Sequence, residues 1–320
     1  MSELAIEIKG LRKSYGQFEA VRGIDLSVAR GEVFAILGPN GAGKTTTVEI
    51  LEGYRDRDGG DVSVLGLDPA KPNRAWRERL GIVLQDCELL PQLTVRESLE
   101  MYAGYYSAPR SVDETIELTG LGAKADERAG HLSGGQRRRL DVALSLIGDP
   151  ELIFLDEPTT GFDPEARREA WSAIDSMRTL GKTIILTTHY MEEAQELADR
   201  VAVFARGEMV ALGPPDEIGG REDMPTRISF TLPAKFSAPD LPPDFRAGAD
   251  AEGGVTIATH DVVAGLNTLT TWAIENATTL DDLEVVRPSL EDIYLRLTAA
   301  PGDAVSDAVP ETGPPEAGTQ

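Results

Sequence analysis

Residues 32–45 read Glu32-Val33-Phe34-Ala35-Ile36-Leu37-Gly38-Pro39-Asn40-Gly41-Ala42-Gly43-Lys44-Thr45. A short apolar run ends at a glycine-rich turn, and the turn opens into a helical stretch over 45–52. Such a run suits a strand buried on both faces. The turn matches G-x-x-x-x-G-K-[ST] in the strand–loop–helix setting that this phosphate-binding pattern requires. Glycines let the backbone curl so that successive N–H groups point inward at phosphate oxygens. The helix N-terminus adds its positive pole. Gly38, Pro39, Asn40, Gly41, Ala42, Gly43, Lys44, Thr45 and Thr46 are therefore the expected cradle for a nucleoside triphosphate. Lys44 would reach the β- and γ-phosphates, and the Thr45 hydroxyl would sit on Mg²⁺.

Outward from this stretch, similar apolar runs recur at 81–84, 152–155, 183–187 and 200–204, and alternation marks strands at 4–8 and 24–28. Helical patterns lie between several of them. The expected fold class is α/β, with a mostly parallel sheet and helices on both faces. The run at 152–155 carries Asp156-Glu157 to its C-terminal end, where open α/β sheets bind ligands. Asp156 would hold Mg²⁺, and Glu157 would orient and polarise the attacking water.

Residues 94–147 hold helical patterns and no convincing strand, which predicts a helical insert in a domain spanning 1–222. The pattern changes after Gly219-Gly220. Strands at 226–232, 255–258 and 283–286 with helices at 261–276 and 289–298 predict a small second α/β domain over 223–298. Residues 233–254 read as loop. Residues 299–320 are rich in Pro, Gly and acid with no Lys or Arg, which predicts a disordered tail.

Leu132-Ser133-Gly134-Gly135-Gln136 reads first as a helix start. Ser133 and Gln136 form an S-x-x-Q capping box, and Leu140, Ala143, Leu144 and Ile147 make the apolar stripe behind it. A cap does not require two glycines. Two glycines and a serine at a helix N-terminus also make an anion site.

These motifs, in this order, resemble the nucleotide-binding subunits of ATP-binding cassette (ABC) transporters over about residues 4–220. The resemblance implies a P-loop fold of ABC type that binds ATP with Mg²⁺ and hydrolyses it. Tyr15 resembles the aromatic that stacks on adenine; read alone it is an edge-strand tyrosine. Gln85 matches the glutamine that senses Mg²⁺ and water, and His189 the switch histidine at the γ-phosphate. Asp163 resembles the aspartate that communicates across the dimer, and also reads as an N-cap before Pro164. Phe162 stands where the family usually has Leu. In the family each ATP lies between the cradle of one copy and the signature loop of the other, here Ser133, Gly134, Gly135 and Gln136. A symmetric homodimer is therefore implied.

Leu51-Glu52-Gly53 with the stretch 61–69, Leu93-Thr94-Val95-Arg96-Glu97, and Pro288-Ser289-Leu290-Glu291-Asp292-Ile293-Tyr294 resemble the ATPases of daunorubicin-resistance type drug and antibiotic exporters. The last stretch also reads as a capped helix, Ser289 with Asp292, burying Leu290, Ile293, Tyr294 and Leu297. The resemblance implies a separate multispanning membrane permease, whose short cytoplasmic helix would dock in a groove near 86–106. Leu89, Leu90, Leu93, Leu99, Met101 and Tyr102 would divide between that groove and the insert's own core. The alternative is a soluble cassette ATPase acting on a non-membrane partner such as the ribosome.

Composition narrows the choice. The formal charge of −23 offers no net attraction to nucleic acid. There is one cysteine, Cys87, so no internal disulfide forms, as befits a reducing compartment. No leader-like or membrane-spanning stretch is seen, so the expected location is the cytoplasm, peripheral on the inner face of the membrane. Cys87 reads as a small apolar filler, and His131 and His260 as structural or surface residues. Trp76, Trp171 and Trp272 read as packing residues. Arg137, Arg138 and Arg139 either face the nucleotide or solvate their helix.

Overall fold

A computed structural model describes residues 3–83, 90–233, 235–237, 240–246, 248 and 254–298. Gln85, Cys87, Leu89 and the tail over 299–320 lie outside these residues. The chain divides into two compact units, Met1–Ile218 and Gly219–Gln320.

In the first unit the elements run β1 (Leu4–Tyr15), β2 (Phe18–Ala29), β3 (Val33–Leu37), α1 (Lys44–Leu51), β4 (Gly59–Val64), α2 (Arg74–Arg77) and β5 (Leu80–Val83). There follow α3 (Val95–Ala103), α4 (Val112–Leu118), α5 (Gly134–Leu146), β6 (Leu152–Asp156), α6 (Pro164–Thr179), β7 (Thr183–Thr188), α7 (Met191–Leu197), β8 (Arg200–Ala205) and β9 (Glu208–Gly213). Six strands form one sheet in the order β5-β6-β7-β3-β8-β9. All neighbours are parallel except the β8–β9 pair. Every residue of β3 is sealed from solvent. Burial of that kind stabilises by about 1.5–3 kcal/mol per large side chain.

Helices do not cover both faces alone. β1, β2 and β4 make a separate antiparallel sheet, in the order β2-β1-β4. Ile6, Ile8, Val21, Leu26 and Val64 of that sheet pack in one core with α1 residues Val48 and Leu51 and with Phe34, Ile36 and Phe154 of the parallel sheet. β1 and β2 turn back on each other through Gly16 and Gln17, pairing Tyr15 with Phe18. The insert has its own core. Val95 and Leu99 of α3, Ile116 of α4 and Leu140, Ala143 and Leu144 of α5 close on one another, with Tyr102 packed against them.

The second unit contains β10 (Thr226–Thr231), α8 (Pro243–Arg246), β11 (Gly254–Thr259), α9 (Val262–Glu275), β12 (Asp281–Val286) and α10 (Leu290–Thr298). Its antiparallel sheet has the order β11-β10-β12. Leu269, Trp272 and Ala273 of α9 pack on Ile228, Phe230, Val255 and Ile257. The short helix α8 falls inside the stretch expected to be loop. Ser289 caps α10: its Oγ accepts from Asp292 N–H at 3.1 Å, and its own N–H donates to the Asp292 carboxylate at 2.7 Å. Leu290 and Ile293 are buried, Tyr294 is half-buried, and the Leu297 side chain lies outside the described set.

Candidate nucleotide site

Parallel register assembles the site. Leu37 pairs with Thr188 and Asp156 pairs with Thr187, so β3, β6 and β7 end on one edge. The cradle loop, the acidic pair and His189 all leave from that edge. Gly43 sits at φ +101, and a Cβ there would stand 2.5 Å from the Ala20 carbonyl oxygen. Only glycine fits both demands. The turn carries Lys44 into the site as a buried side chain. Its Nζ donates to the carbonyl oxygens of Gly38 at 2.7 Å and Pro39 at 3.3 Å. Burial lowers the Lys44 pKa, while Glu157 and Asp156 oppose that shift.

Glu157 has a backbone φ of +43. A non-glycine residue there is strained by about 1–3 kcal/mol and must be held by its surroundings. Its N–H donates to the Thr187 carbonyl at 3.1 Å and also to Thr187 Oγ1 at 3.0 Å. One carboxylate oxygen lies 3.8 Å from Lys44 Nζ and 3.3 Å from His189 Nδ1. The other accepts from Thr160 Oγ1 at 3.1 Å. The Thr187 hydroxyl in turn donates to Asp156 Oδ1. Thr187 thus orients both acids at once.

A cleft of about 400 Å³ is lined by Tyr15, Phe18 and Ala20 at one end and by Pro39, Asn40, Gly41, Gly43, Lys44, Thr45, Thr46, Asp156 and Glu157 at the other. The structure therefore brings the cradle, both acids and Tyr15 together. Gly38 and Ala42 belong to the same turn but are buried behind it. Gln85 lies outside the described residues. Among the described residues no cluster of three or more His, Cys, Asp or Glu is placed to hold a metal ion. Thr45 and Asp156 suit Mg²⁺ as a hydroxyl and a carboxylate that share it with phosphate oxygens.

Ser133, Gly134, Gly135 and Asp163 do not line that cleft. With Gly161, Phe162, Glu165, Ala166 and Glu169 they line a second one, about 310 Å³. Ser133 and Gln136 make the full capping box, at 3.0 and 3.3 Å. Asp163 Oδ1 accepts from the N–H groups of Glu165 and Ala166 at 3.0 and 2.8 Å, capping α6.

Phe18, Thr160 and Thr187 escape sequence reading, and the place of Arg138 differs from both of its expected ones. Phe18 is the strand partner of Tyr15, and the turn between them is its only local signal. Among Arg137, Arg138 and Arg139, only Arg138 is buried. It neither faces nucleotide nor solvates its helix: Nε donates to the Pro158 carbonyl at 3.1 Å. Arg137 donates to the Leu132 carbonyl, and Arg139 pairs with Glu169 at 3.0 Å. His131 lies exposed beside Glu127, and Trp76 and Trp272 are buried while donating to backbone carbonyls.

Residues 21–160 match the family described as "ABC transporter", and residues 226–289 match the "ABC transporter domain-containing protein-like, C-terminal domain". The chain is 38% identical to the daunorubicin resistance ATP-binding protein DrrA3 of Streptomyces coeruleorubidus, over 93% of this chain and 97% of that protein. It is 44% identical to the Nod factor export ATP-binding protein I of Rhizobium sp. (strain N33), over 67% of this chain and 72% of that one. Among solved structures it is similar to cbiO1 from Clostridium perfringens, described as part of the ABC transporter complex cbiONQ. That match has a TM-score of 0.62 and 30% identity, over 68% of this chain and 90% of that one.

Proposed function

Because the chain belongs to the ABC transporter family as an ATP-binding, ATP-hydrolysing subunit, we propose that it powers export of a drug, antibiotic or similar small apolar molecule through a separate membrane permease. Relatives named for daunorubicin resistance and Nod factor export support the direction of transport. No helix among the described residues is long and apolar enough to cross a membrane. The spanning part then belongs to another chain, and this one works as a homodimer on the inner face.

The hydrolytic reading rests on one observation: a strained Glu157 is held with one oxygen toward both Lys44 and His189. In this reading the Lys44 ammonium binds β- and γ-phosphate oxygens. The N–H groups of the turn and of α1 take up the remaining negative charge. Glu157 accepts a hydrogen bond from the attacking water and draws off its proton as the water closes on the γ-phosphorus, while the bond from that phosphorus to the β,γ-bridging oxygen breaks and ADP leaves. His189 donates toward the γ-phosphate and keeps the water in line. Mg²⁺, held by Thr45 and Asp156, would neutralise charge between the β- and γ-phosphates. Tyr15 and Phe18 supply an aromatic face for the base. Ser133, Gly134 and Gly135 of a second copy would close over the γ-phosphate, since within one chain they line a different cleft. The test is phosphate release from purified chain with ATP and Mg²⁺, comparing wild type with Glu157→Gln; equal rates would defeat the assignment.

The permease helix would dock beside the insert. Leu99 is sealed in the insert's core, and Tyr102 packs on it. Leu90 and Met101 stay exposed and Leu93 is half-buried, and these, with the open side of the half-buried Tyr102, are left to meet a partner.

A further inference from the structure

A cleft of about 620 Å³ opens where the insert meets the end of α1 and strand β5. Its walls include Tyr54, Leu80, Tyr102, Tyr106 and Leu144, with two acids, Glu52 and Asp141, among them. The aromatic and leucine walls alone would suit many apolar side chains. The acids make it selective. Asp141 on α5 is only 8% exposed, and its Oδ1 has no hydrogen-bond partner among the described residues. Its other oxygen lies 3.9 Å from Arg138 Nη1, too far for a hydrogen bond, and Arg138 is committed to backbone carbonyls. Glu52 closes α1, and no ion pair among the described residues reaches it.

Burial pushes the Asp141 carboxyl up to about 6. Burial, then Asp156, then Glu49 push Glu52 up to about 8. Arg77 also lines the cleft, but it is an exposed side chain on α2 and leaves the buried Asp141 oxygen unpartnered. A buried acceptor without a donor costs about 1–3 kcal/mol, and an occupant that supplies donors and positive charge recovers that cost.

We infer that this cleft receives a basic side chain, Arg or Lys, carried on the short cytoplasmic helix of the permease and paired with Glu52 and Asp141. The inference rests on the proposal that a membrane subunit docks here, and adds the chemistry by which it is recognised. Arg suits the site better than Lys, because a planar fork can give donors to two carboxylates while its plane lies against Tyr102 or Tyr106. The apolar faces of the docking helix would rest on Leu80 and Leu144.

The experiment places a photoactivatable benzophenone on Tyr54→Cys, in a Cys87→Ser background, in the full chain expressed in its native host. Tyr54 lines the cleft and is 84% exposed. The attachment point on the captured membrane protein is mapped by mass spectrometry. The expected result is a cytoplasmic segment with Arg or Lys within one helical turn of the attachment point. Glu52→Gln with Asp141→Asn should lower the yield by about thirtyfold or more, the scale for losing one side of a desolvated charge pair. Replacing the mapped basic residue by Leu, with this chain unaltered, should cause the same loss; this arm stands even where the double variant folds poorly. A mapped segment without a basic residue, or a yield insensitive to these charges, overturns the inference and leaves docking intact. Capture of no membrane protein overturns the docking proposal itself.

Discussion

Arg138 Nη2 donates to the main-chain carbonyl of Asp156 at 3.3 Å. With the Nε bond to Pro158, one buried guanidinium fastens α5, which begins just after Ser133, to the end of β6 and the turn beyond it, where Asp156 and Glu157 stand. Movement of α5 is thereby tied to the backbone that sets Asp156 and Glu157.

Arg138→Ala should therefore lower both stability and turnover. It leaves two backbone carbonyls without their donor and opens space behind them, a loss of about 2–3 kcal/mol. Arg138→Lys should recover part of the stability and little of the rate, because an ammonium cannot bridge both carbonyls in one plane. Thermal melting and phosphate release separate the two effects. A variant that melts and turns over like wild type would remove the brace.

Glu157→Gln should retain ATP binding and slow hydrolysis about a hundredfold or more, the usual scale for a lost general base. With chemistry stalled, ATP and Mg²⁺ should accumulate a closed dimer, visible as doubled mass in light scattering.

Ser133→Arg should abolish hydrolysis and leave monomer binding of ATP nearly intact, since Ser133 lines the cleft away from Lys44. Lys44→Ala should weaken binding itself. When the two inactive variants exchange subunits, one interface carries both lesions and the other neither, so part of the activity should return. A mixture that stays inactive despite demonstrated exchange counts against shared sites working independently.

Glu52 gives a pH signature. Its folded pKa, about 8, lies above the ordinary 4.5. The folded chain holds that proton more tightly than the unfolded chain. The resulting stability is complete below about pH 4.5 and is lost as pH rises through 8. Asp141, raised to about 6, acts with the same sign. Glu52→Gln should thus flatten the fall in melting temperature between pH 5 and 8 and raise stability at the upper end. Identical slopes for variant and wild type would show that the carboxyl is ionised throughout.

The parallel strands were legible because burial on both faces leaves continuous apolar runs, as in 32–37 and 152–155. β4 was not, because Gly59, Gly60 and Asp61 read as turn and only Val62 and Val64 of that strand are buried. β9 escaped for a related reason: it is an edge strand with no fully buried residue. The cradle and acids were legible because their chemistry is local in sequence. Arg138 was not, since three consecutive arginines look alike until tertiary contact buries one. Thr187 looked like the tail of an apolar strand, and its role appears only once β6 is beside it.

The two ends of the nucleotide cleft differ in kind. The end expected to take phosphate is built from a left-handed glycine and charged side chains; the other end offers the rings of Tyr15 and Phe18 and the methyl of Ala20. Flat rings stack on any purine, and the cations nearest that end among the described residues, Arg55 and Lys13, stand over the Tyr15 ring itself at 5.2 and 5.8 Å from its centroid. Fuel choice then follows the triphosphate far more than the base. GTP should be hydrolysed within about tenfold of ATP, because stacking contributes similar energies for different bases, whereas ADP should not be turned over. A motor with such a site is expected to turn over either purine triphosphate in proportion to its supply.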